Sequence, residues 1–382
     1  MARRRFGRTG LSLSVFSLGL MRGLEDPAQF RAIVRHGLAG GINHLETAPA
    51  YGPSETYLGQ VLGELWREGT IDRSQMYITT KLVPTPDGKQ LPGQLAQSLE
   101  RLGTDYVDCV ALHGLNTAQH WDWVQAPGGC GDGLEQVRRS GMARFVGFSS
   151  HGSLEMITQA IASDRFDFVN LHYGLFFQRH APALAQAAAL DLGVFIISPA
   201  DKGGQLYAPS PLLADLCQPW SPLELAYRFL LADDRITTLS VGAEVVGDLA
   251  VALTLGQQPP IGEPLSPAER DKLAQLEQWQ RDRLGVDRCG QCYQCLPCPE
   301  GIHIPEVLRL RNLAVAYGME GFGRYRYGMF ENAGHWFPGR RGDRCTDCGD
   351  CLPRCPQELD IPRLLRDTHD RLGSLPRRRL WD

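Results

Sequence analysis

The sequence contains no long apolar segment and no excess of positive charge. No apolar run reaches the roughly 20 residues that a membrane-spanning helix needs, and the basic N-terminus M-A-R-R-R-F-G-R is not followed by the apolar core of a signal peptide. Lys and Arg number 39 against 43 Asp and Glu, and the basic runs at residues 3–5 and 377–379 resemble solvated ends. These absences predict a soluble, cytoplasmic protein that spans no membrane and binds no nucleic acid.

Cysteine, in contrast, is abundant, and eight of the eleven cysteines form two compact blocks. The first block reads C-G-Q-C-Y-Q-C-L-P-C-P, and the second reads C-T-D-C-G-D-C-L-P-R-C-P. Three cysteines at three-residue spacing followed by a Cys-Pro pair form the ligand pattern of a [4Fe–4S] ferredoxin. The spacing predicts two [4Fe–4S] clusters with the ligands Cys289, Cys292, Cys295, Cys298, Cys345, Cys348, Cys351 and Cys355.

Two other uses of eight cysteines are less consistent with this pattern. A cytosolic chain of 382 residues needs no disulfides to supplement its core. Zinc sites usually combine two C-x-x-C units across a longer loop, whereas here three cysteines follow one another closely. The pattern therefore favours iron–sulfur clusters over zinc or disulfides.

In two-cluster ferredoxins the fourth cysteine of each block binds the other cluster. This rule predicts that Cys355 completes the site of Cys289, Cys292 and Cys295, and that Cys298 completes the site of Cys345, Cys348 and Cys351. The three scattered cysteines are interpreted as core or incidental thiols: Cys109, Cys130 and Cys217.

A proline-rich segment at residues 257–267 indicates a domain boundary. Ser266, Pro267 and Glu269 have the pattern of a helix N-terminus with a capping box. A further helical pattern after the first cysteine block ends at Gly318. We therefore predict a first domain over residues 1–256, a linker over 257–267 and a small, mainly helical domain over 268–382.

The first domain contains eight short apolar runs that recur about every 20–35 residues, with helix-like stretches such as 92–102 and 153–163 between them. They begin at Val15, Ile42, Tyr77, Val107, Ala143, Phe166, Val194 and Thr237. Alternating strands and helices indicate a parallel α/β sheet, and eight units predict a closed (β/α)8 TIM barrel. An open doubly wound sheet is the alternative, weakened because no G-x-G-x-x-G follows the first run.

Polar residues lie at the ends of these predicted strands, where a barrel places its active site. The residues at or near the ends of the runs are Glu46, Lys81, His113, Ser149, Ser150 and Asn170. Tyr51 follows shortly after the second run. A single buried histidine or strand-end lysine is usually structural. Their joint occurrence at strand ends predicts a catalytic site.

At these positions the sequence resembles the aldo-keto reductase family. N-H-L-E-T-A-P-A-Y-G is similar to the segment around that family's acidic residue and tyrosine, T-T-K-L to its lysine strand, and A-L-H-G to its histidine strand. F-V-G-F-S-S-H is similar to the strand whose serine contacts nicotinamide. The resemblance covers residues 3–256, and the remaining segment resembles a subgroup with a dicluster ferredoxin-like extension.

The resemblance implies carbonyl/alcohol hydride transfer with NAD(P)H and a catalytic set of Tyr51, Lys81, His113 and Glu46. Tyr51 would donate the proton, although its ordinary pKa is about 10. Lys81 would lower that pKa, and Glu46 would orient Lys81. His113 would hydrogen-bond the substrate oxygen. Glu46 stands where the family usually has aspartate, so we expect a re-fitted contact with Lys81.

For the nucleotide, the resemblance implies that Ser149 and Asn170 hold the nicotinamide carboxamide, with Asn170 in place of the usual glutamine, and that Ser150 is a further cofactor-binding residue. The segments after the seventh and eighth strands, containing Ser198, Gly203 and Gly242, would contact the pyrophosphate. Acids in A-E-V-V-G-D favour NADH, because an acid suits a free ribose hydroxyl. Lys202 and Arg235 are the candidates that would instead accept NADPH.

Three functions remain open from the sequence. The first is an NAD(P)-dependent oxidoreductase whose clusters carry electrons to or from a protein partner. The second is a plain reductase of a carbonyl or quinone substrate, with structural or oxygen-sensing clusters, and the third is a cofactor-binding regulatory subunit. Transfer of single electrons from the nicotinamide to a cluster would need a flavin, for which the sequence has no convincing signature. A long loop after the fourth strand carries Trp121 and Trp123, either as a substrate lid or as packing residues.

Overall fold

The computed structural model describes residues 1–200, 202–257 and 264–376 of the chain. The described residues form two compact units. The first consists of Met1–Gly203 and Ala226–Pro264, and the second of Gly204–Leu225 and Leu265–Asp382. Among the described helices, none is long and apolar enough to cross a membrane.

The first unit contains a closed barrel of eight parallel strands, which confirms the predicted (β/α)8 fold. Each predicted apolar run contributes one strand, and neighbours along the chain are neighbours in the barrel, with the last strand pairing with the first. The strands are β3 (Phe16–Gly19), β4 (His44–Glu46), β5 (Tyr77–Leu82), β6 (Val107–Leu112), β7 (Ala143–Ser150), β8 (Phe168–Leu171), β9 (Gly193–Ile196) and β10 (Thr238–Val241).

Amphipathic helices connect these strands and bury their apolar faces. Polar residues cap several of them; Asp26 accepts from the N–H of Ala28, and Ser153 accepts from the N–H of Met156. The helices are α1 (Pro27–Ala39), α2 (Ser54–Arg67), α3 (Gln90–Leu102), α4 (Ala118–Gln125), α5 (Cys130–Arg139), α6 (Leu154–Ala162), α7 (Ala181–Ala189), α8 (Pro211–Cys217), α9 (Pro222–Leu231) and α10 (Ala250–Gln257).

An N-terminal hairpin, which the sequence did not predict, precedes the barrel. Its strands β1 (Arg3–Arg5) and β2 (Ser12–Ser14) pair antiparallel. Phe6, Leu11 and Leu13 are buried in one cluster with barrel residues that include Phe168 and Phe195. The expectation that residues 3–5 are only a solvated end is therefore wrong, because apolar residues beside them anchor the segment to the barrel core.

The second unit is mainly helical, as expected. Besides α8, its helices are α11 (Pro267–Leu284), α12 (Ile304–Tyr317), α13 (Glu320–Tyr327) and α14 (Ile361–Leu372). The predicted capping box is present at the start of α11, where Ser266 accepts from the N–H of Glu269 and Glu269 accepts from the N–H of Ser266. The helix α12 ends at Gly318, which has a φ of 64°.

The limits of the two units differ from the predicted domain limits. The prediction placed residues 204–225 in the barrel domain, whereas this segment belongs to the second unit. Ser210 shows the physical reason, because its hydroxyl caps α8 and also donates to the backbone oxygen of Tyr317 in α12. The predicted linker at 257–267 lies largely outside the described residues, as does the basic run at 377–379.

Candidate active site and cysteine-lined sites

The predicted catalytic residues lie at the C-terminal ends of adjacent barrel strands. Glu46 is the last residue of β4, Lys81 is near the end of β5, and His113 directly follows β6. Tyr51 lies in the connection between β4 and α2. Because parallel strands end on one face of a barrel, four sequence-distant residues are brought to the same place.

Lys81 is the centre of this group. Its ammonium donates to the phenol oxygen of Tyr51 at 2.9 Å and to the backbone oxygen of Thr47 at 3.0 Å, and it forms an ion pair with the Glu46 carboxylate. The side chains of Lys81 and Glu46 are only 2% and 5% exposed. Glutamate therefore maintains the ion pair at the position where the family usually has aspartate.

His113 completes the group from the third strand. Its ring lies edge-on to the ring of Tyr51, with 5.5 Å between centroids, and its backbone N–H donates to the backbone oxygen of Leu82 at 2.7 Å. Both side chains are buried but not sealed, with Tyr51 8% and His113 6% exposed. The Tyr51 hydroxyl thus has a buried cation on one side and an imidazole nearby.

A buried polar layer involving His44 was missed by the sequence analysis. His44 contacts Ser17 and Thr79 hydroxyls through its two ring nitrogens, both at 2.7 Å. Burial, and secondarily the charge of Lys81, lowers the pKa of His44 to about 3. His44 is therefore neutral at physiological pH and adds no second positive charge. The motif N-H-L-E, in which His44 lies two residues before Glu46 on a strand, was the available signal, since such residues share one face.

Asn170 on β8 has an environment suited to binding a ligand. Its side chain is fully buried, yet neither its amide nitrogen nor its amide oxygen has a hydrogen-bond partner in the described part of the chain. Buried amides normally find partners. A nicotinamide carboxamide carries the complementary donor and acceptor, so the residues present fit the head of a nicotinamide nucleotide.

The two serines predicted beside Asn170 are instead bonded to backbone. Ser149 pairs with Asn170 across β7 and β8, but its hydroxyl accepts from the N–H of Gly114 at 3.0 Å and donates to Leu112 oxygen at 3.3 Å. The Ser150 hydroxyl donates to Leu115 oxygen at 2.6 Å. Both serines thus fix the loop after β6 in this structure.

The segments predicted to contact the pyrophosphate follow β9 and β10. Ser198 has a φ of 49°, and a Cβ on Gly203 would lie 1.9 Å from the oxygen of Pro199, so this turn requires glycine. Asp201 lies outside the described residues. Gly242 lies in the loop after β10, where a Cβ would be 3.4 Å from Arg22.

Arg22, in the loop after β3, is a cation that the sequence analysis missed. It forms an ion pair with Glu244 of the loop after β10. Arg235 is wrongly placed for the role suggested for it, because it precedes β10 and so lies at the opposite end of the strand from the site. Its guanidinium is bonded to Asp233 at 2.6 and 2.8 Å.

The predicted long loop after β6 is partly helical, which corrects the loop prediction. Helix α4 contains both Trp121 and Trp123, with Thr117 as its N-cap. Trp123 is half-buried against the His120 ring, at 5.4 Å between centroids. The helical pattern was obscured by the glycines that follow, which open α5.

In the second unit, the structure brings together cysteines from the two blocks. Cys298 from the first block lines one cavity with Cys345, Cys348 and Cys351. Cys355 from the second block lies near Cys289: burial first, and then the neighbouring Cys292 and Cys355, raise the pKa of the Cys289 thiol. Each grouping thus contains cysteines of both blocks, and the crossed ligation of two clusters stays a prediction.

The surroundings of these thiols fit iron–sulfur ligation. The side-chain amide of Gln291 donates to the Cys289 sulfur at 3.4 Å, and N–H donors to ligand sulfurs are a feature of such sites. Cys295 and Cys351 are buried, whereas Cys292 and Cys348 are exposed. The three other cysteines, Cys109, Cys130 and Cys217, are buried away from the blocks.

Comparison with known proteins gives two matches that follow one another along the chain. Residues 16–205 match the aldo/keto reductase family, and residues 288–359 match a 4Fe-4S dicluster domain. Among solved structures, the aldo-keto reductase AKR11C1 from Bacillus halodurans (holo form) superimposes with a TM-score of 0.62 at 22% identity, covering 72% of this chain and 95% of that one. That likeness shows the fold.

Curated relatives match over shorter segments. L-glyceraldehyde 3-phosphate reductase of Escherichia coli (strain K12) is 32% identical over 40% of this chain and 46% of its own length. Aldo-keto reductase AKR2E4 of Bombyx mori is 25% identical over 53% of this chain and 68% of its own length. An aldose reductase of Encephalitozoon cuniculi is 38% identical over 24% of this chain and 30% of its own length. The chain thus spans between about a third and two thirds of these relatives. It carries an aldo/keto reductase domain followed by a C-terminal 4Fe-4S dicluster domain.

Proposed function

We propose that the barrel is an NAD(P)-dependent oxidoreductase that interconverts a small carbonyl compound and its alcohol. The observation that carries this proposal is the buried contact of the Lys81 ammonium with the Tyr51 hydroxyl at 2.9 Å, backed by the Glu46 ion pair. A lysine paired only for stability would not need a phenol in the same contact. Tyr51 is in addition slightly exposed, so a substrate oxygen can reach it.

The bound nicotinamide supplies a hydride to the carbonyl carbon, and the protein supplies the proton. Tyr51 donates its hydroxyl proton to the substrate oxygen and becomes a phenolate, which the Lys81 ammonium stabilises at hydrogen-bonding distance. Glu46 and the Thr47 oxygen hold that ammonium in place. His113, beside Tyr51, donates to the same substrate oxygen and thereby favours the developing negative charge.

Asn170 would bind the carboxamide of the nicotinamide, because its amide is buried without a partner in the described residues. For the other end of the nucleotide, the acids Glu244 and Asp248 favour NADH, as the sequence predicted. Arg22 is the cation beside this loop, and its ion pair with Glu244 reduces its availability to a 2′-phosphate. NADH therefore stays the expected nucleotide, and kcat/KM for NADH and NADPH tests this expectation.

The two clusters would carry single electrons between the barrel chemistry and a protein partner of the electron-transfer type. The support is the grouping of cysteines from both blocks, with the Gln291 amide as a donor to the Cys289 sulfur. A carbonyl or quinone substrate and a cytoplasmic location stay predictions. A bound flavin, as the converter from hydride to single electrons, also stays untested.

The test of the barrel chemistry is Tyr51→Phe. Loss of the proton donor should lower kcat by about 10²–10⁴-fold for an aldehyde substrate while leaving the Kd for NADH unchanged. Tyr77→Phe, at the far end of β5, is the matched control and should retain activity. Unchanged turnover in Tyr51→Phe would refute the assignment.

The test of electron transfer is anaerobic addition of NADH or NADPH to the intact protein, followed by visible absorbance and EPR. Reduction of the clusters supports the electron-transfer function. Nucleotide binding and carbonyl turnover with clusters that stay oxidised would instead assign the clusters a structural or sensing role.

A further inference from the structure

The two cysteine blocks form loops of equivalent backbone conformation. Gln291 and Asp347, each two residues after the first cysteine of its block, have φ values of 60° and 58°. Tyr293 and Gly349, two residues later, also have positive φ. The backbone thus places these residues equivalently beside the first cysteine of each block.

The side chains at this equivalent position differ in charge. The Gln291 amide donates to the Cys289 sulfur at 3.4 Å and to the Pro305 oxygen at 2.8 Å, so it is fixed as a donor. At the other site, a carboxylate oxygen of Asp347 lies 3.8 Å from the Cys345 sulfur. The thiol donates to this oxygen here, whereas a ligating thiolate has no proton to donate.

The wider surroundings preserve this difference. Around Cys289 the contacts come from neutral amides, with Gln357 accepting from the N–H of Gly290 and Asn312 donating to the Cys289 oxygen. Asp287 precedes this cysteine, but its carboxylate is bound by both Arg311 and Arg363. The Asp287 carboxylate is therefore neutralised by two arginines.

At the second site, neutralisation is incomplete. Arg366 binds Asp347 at 2.6 Å, but both side chains are more than half exposed, so water and salt screen the pair. Glu300 lies nearby, accepting from the Thr346 hydroxyl at 3.1 Å.

One-electron reduction adds negative charge to a cluster and its sulfurs. An N–H donor at a ligand sulfur stabilises that charge, and a carboxylate opposes it, so both change the reduction potential. We propose that the two clusters have different potentials, that the cluster bound through Cys289 accepts an electron first, and that Gln291 and Asp347 set this order. The inference rests on the cluster binding proposed above.

The experiment is an EPR-monitored redox titration of the full-length protein with dithionite and mediators under anaerobic conditions. The wild type should show two reduction waves, one for each cluster. Asp347→Asn, which removes the carboxylate, should raise the potential of the lower-potential wave and so reduce the difference between the two potentials. Gln291→Glu, which replaces a donor by a carboxylate, should decrease the potential of the higher-potential wave. A tenfold change in the oxidised/reduced ratio corresponds to about 59 mV for a one-electron couple.

Arg366→Gln separates charge from structure. It breaks the same ion pair as Asp347→Asn but leaves the carboxylate uncompensated. The reduction potential of the lower-potential cluster should therefore decrease. A purely structural role for the pair would shift the wave in the same direction in both variants. Asp271→Asn, an exposed charge change on α11, is the net-charge control and should shift neither wave.

Two results would overturn the inference. One is a single reduction wave for both clusters. The other is an Asp347→Asn variant in which the potential of the higher-potential wave changes, or neither potential changes. Iron and sulfide analysis of every variant distinguishes this failure from failure of cluster binding. With about eight irons per chain the titration tests the order of reduction. A protein without stoichiometric iron and sulfide refutes the cluster assignment itself, and the inference with it.

Discussion

At the scale of single residues, the barrel site contrasts well-bonded side chains with the amide of Asn170. Lys81 contacts Thr47, Tyr51 and Glu46, and Ser149 bonds Gly114 and Leu112, whereas the Asn170 amide has no partner within the described residues. A buried amide without partners costs about 1–3 kcal/mol. Such a cost is compensated when a ligand supplies the missing donor and acceptor.

Asn170→Ala should therefore weaken nucleotide binding without destabilising the protein. We expect the Kd for NADH to rise about tenfold or more, since a ligand would lose up to two hydrogen bonds of about 1 kcal/mol each. The matched control is Asn43→Ala, because Asn43 is also buried but bonds the backbone of Ser12 and Ser14. That variant should lose stability and keep its affinity. Fluorescence titration and urea unfolding measure both, and an unchanged Kd in Asn170→Ala would contradict the role.

His44 gives a pH dependence with a defined sign. Its pKa is about 3 in the folded protein against 6.5 ordinarily, so between these values the unfolded chain binds a proton that the folded chain does not. The free energy of unfolding should therefore fall as pH decreases below about 6.5, by about 2 kcal/mol at pH 5 from this residue.

Urea unfolding at pH 7 and pH 5 tests this prediction. His44→Gln should lose less stability between the two pH values than the wild type. His36→Gln removes an exposed histidine of α1 and should behave as the wild type. Equal losses in all three proteins would show that His44 is not the residue responsible.

At the scale of elements, the N-terminal hairpin contributes to the barrel core rather than covering it loosely. The Phe6 ring packs on Phe168 at 5.3 Å between centroids, and a Cβ on Gly193 would lie 2.4 Å from the Phe6 ring. Arg4 donates to the backbone oxygens of Leu231, Asp233 and Ile236. The hairpin is therefore attached by both apolar and polar contacts.

Phe6→Ala should lower the free energy of unfolding by about 3–5 kcal/mol, as large-to-small changes in a packed core do. Arg3→Ala, on an exposed side chain of the same hairpin, should change it by less than about 0.5 kcal/mol. Urea unfolding measures both variants. A Phe6→Ala protein as stable as Arg3→Ala would mean that the hairpin does not support the core.

The second unit contains an internal repeat at the same scale. Each cysteine block leads into a helix that starts with Ile-Pro, α12 at Ile304 and α14 at Ile361, and the two helices are in contact. His303 and Asp360 cap them by accepting from the N–H three residues on. The repeated C-P…I-P pattern was visible in the sequence, and it explains why the two loops have equivalent backbones.

At the scale of the whole molecule, the proposed ligand crossing would connect the two blocks across the 46 residues between Cys298 and Cys345. Cys355→Ala should then remove the cluster of Cys289 and reduce iron from about eight to about four atoms per chain. The double variant Cys289→Ala/Cys355→Ala should retain about four, because both residues belong to one site. Cys345→Ala/Cys355→Ala should lose nearly all.

Iron and sulfide analysis under anaerobic conditions checks this prediction. Cys217→Ala removes a buried thiol outside the blocks and should retain about eight irons. If each block held its own cluster, the two double variants would exchange their results.

The sequence alone determined the class of the barrel and the position of its reactive residues. Strand runs recur with a fixed rhythm, and parallel strands end on one face, so Glu46, Lys81 and His113 could be placed together before any coordinates were considered. Cysteine spacing likewise indicated the ligands, because a cluster requires particular separations along the chain.

Tertiary structure decided the features that depend on contacts between distant segments. These include the attachment of residues 1–14 to the barrel core, the grouping of residues 204–225 with the second unit, and the contrast between Gln291 and Asp347. They also include the burial of the Asn170 amide without a partner among the described residues. Local patterns report the helix or strand preference of a segment. They do not report which partners a side chain meets after folding, and those partners set its hydrogen bonding and its charge environment.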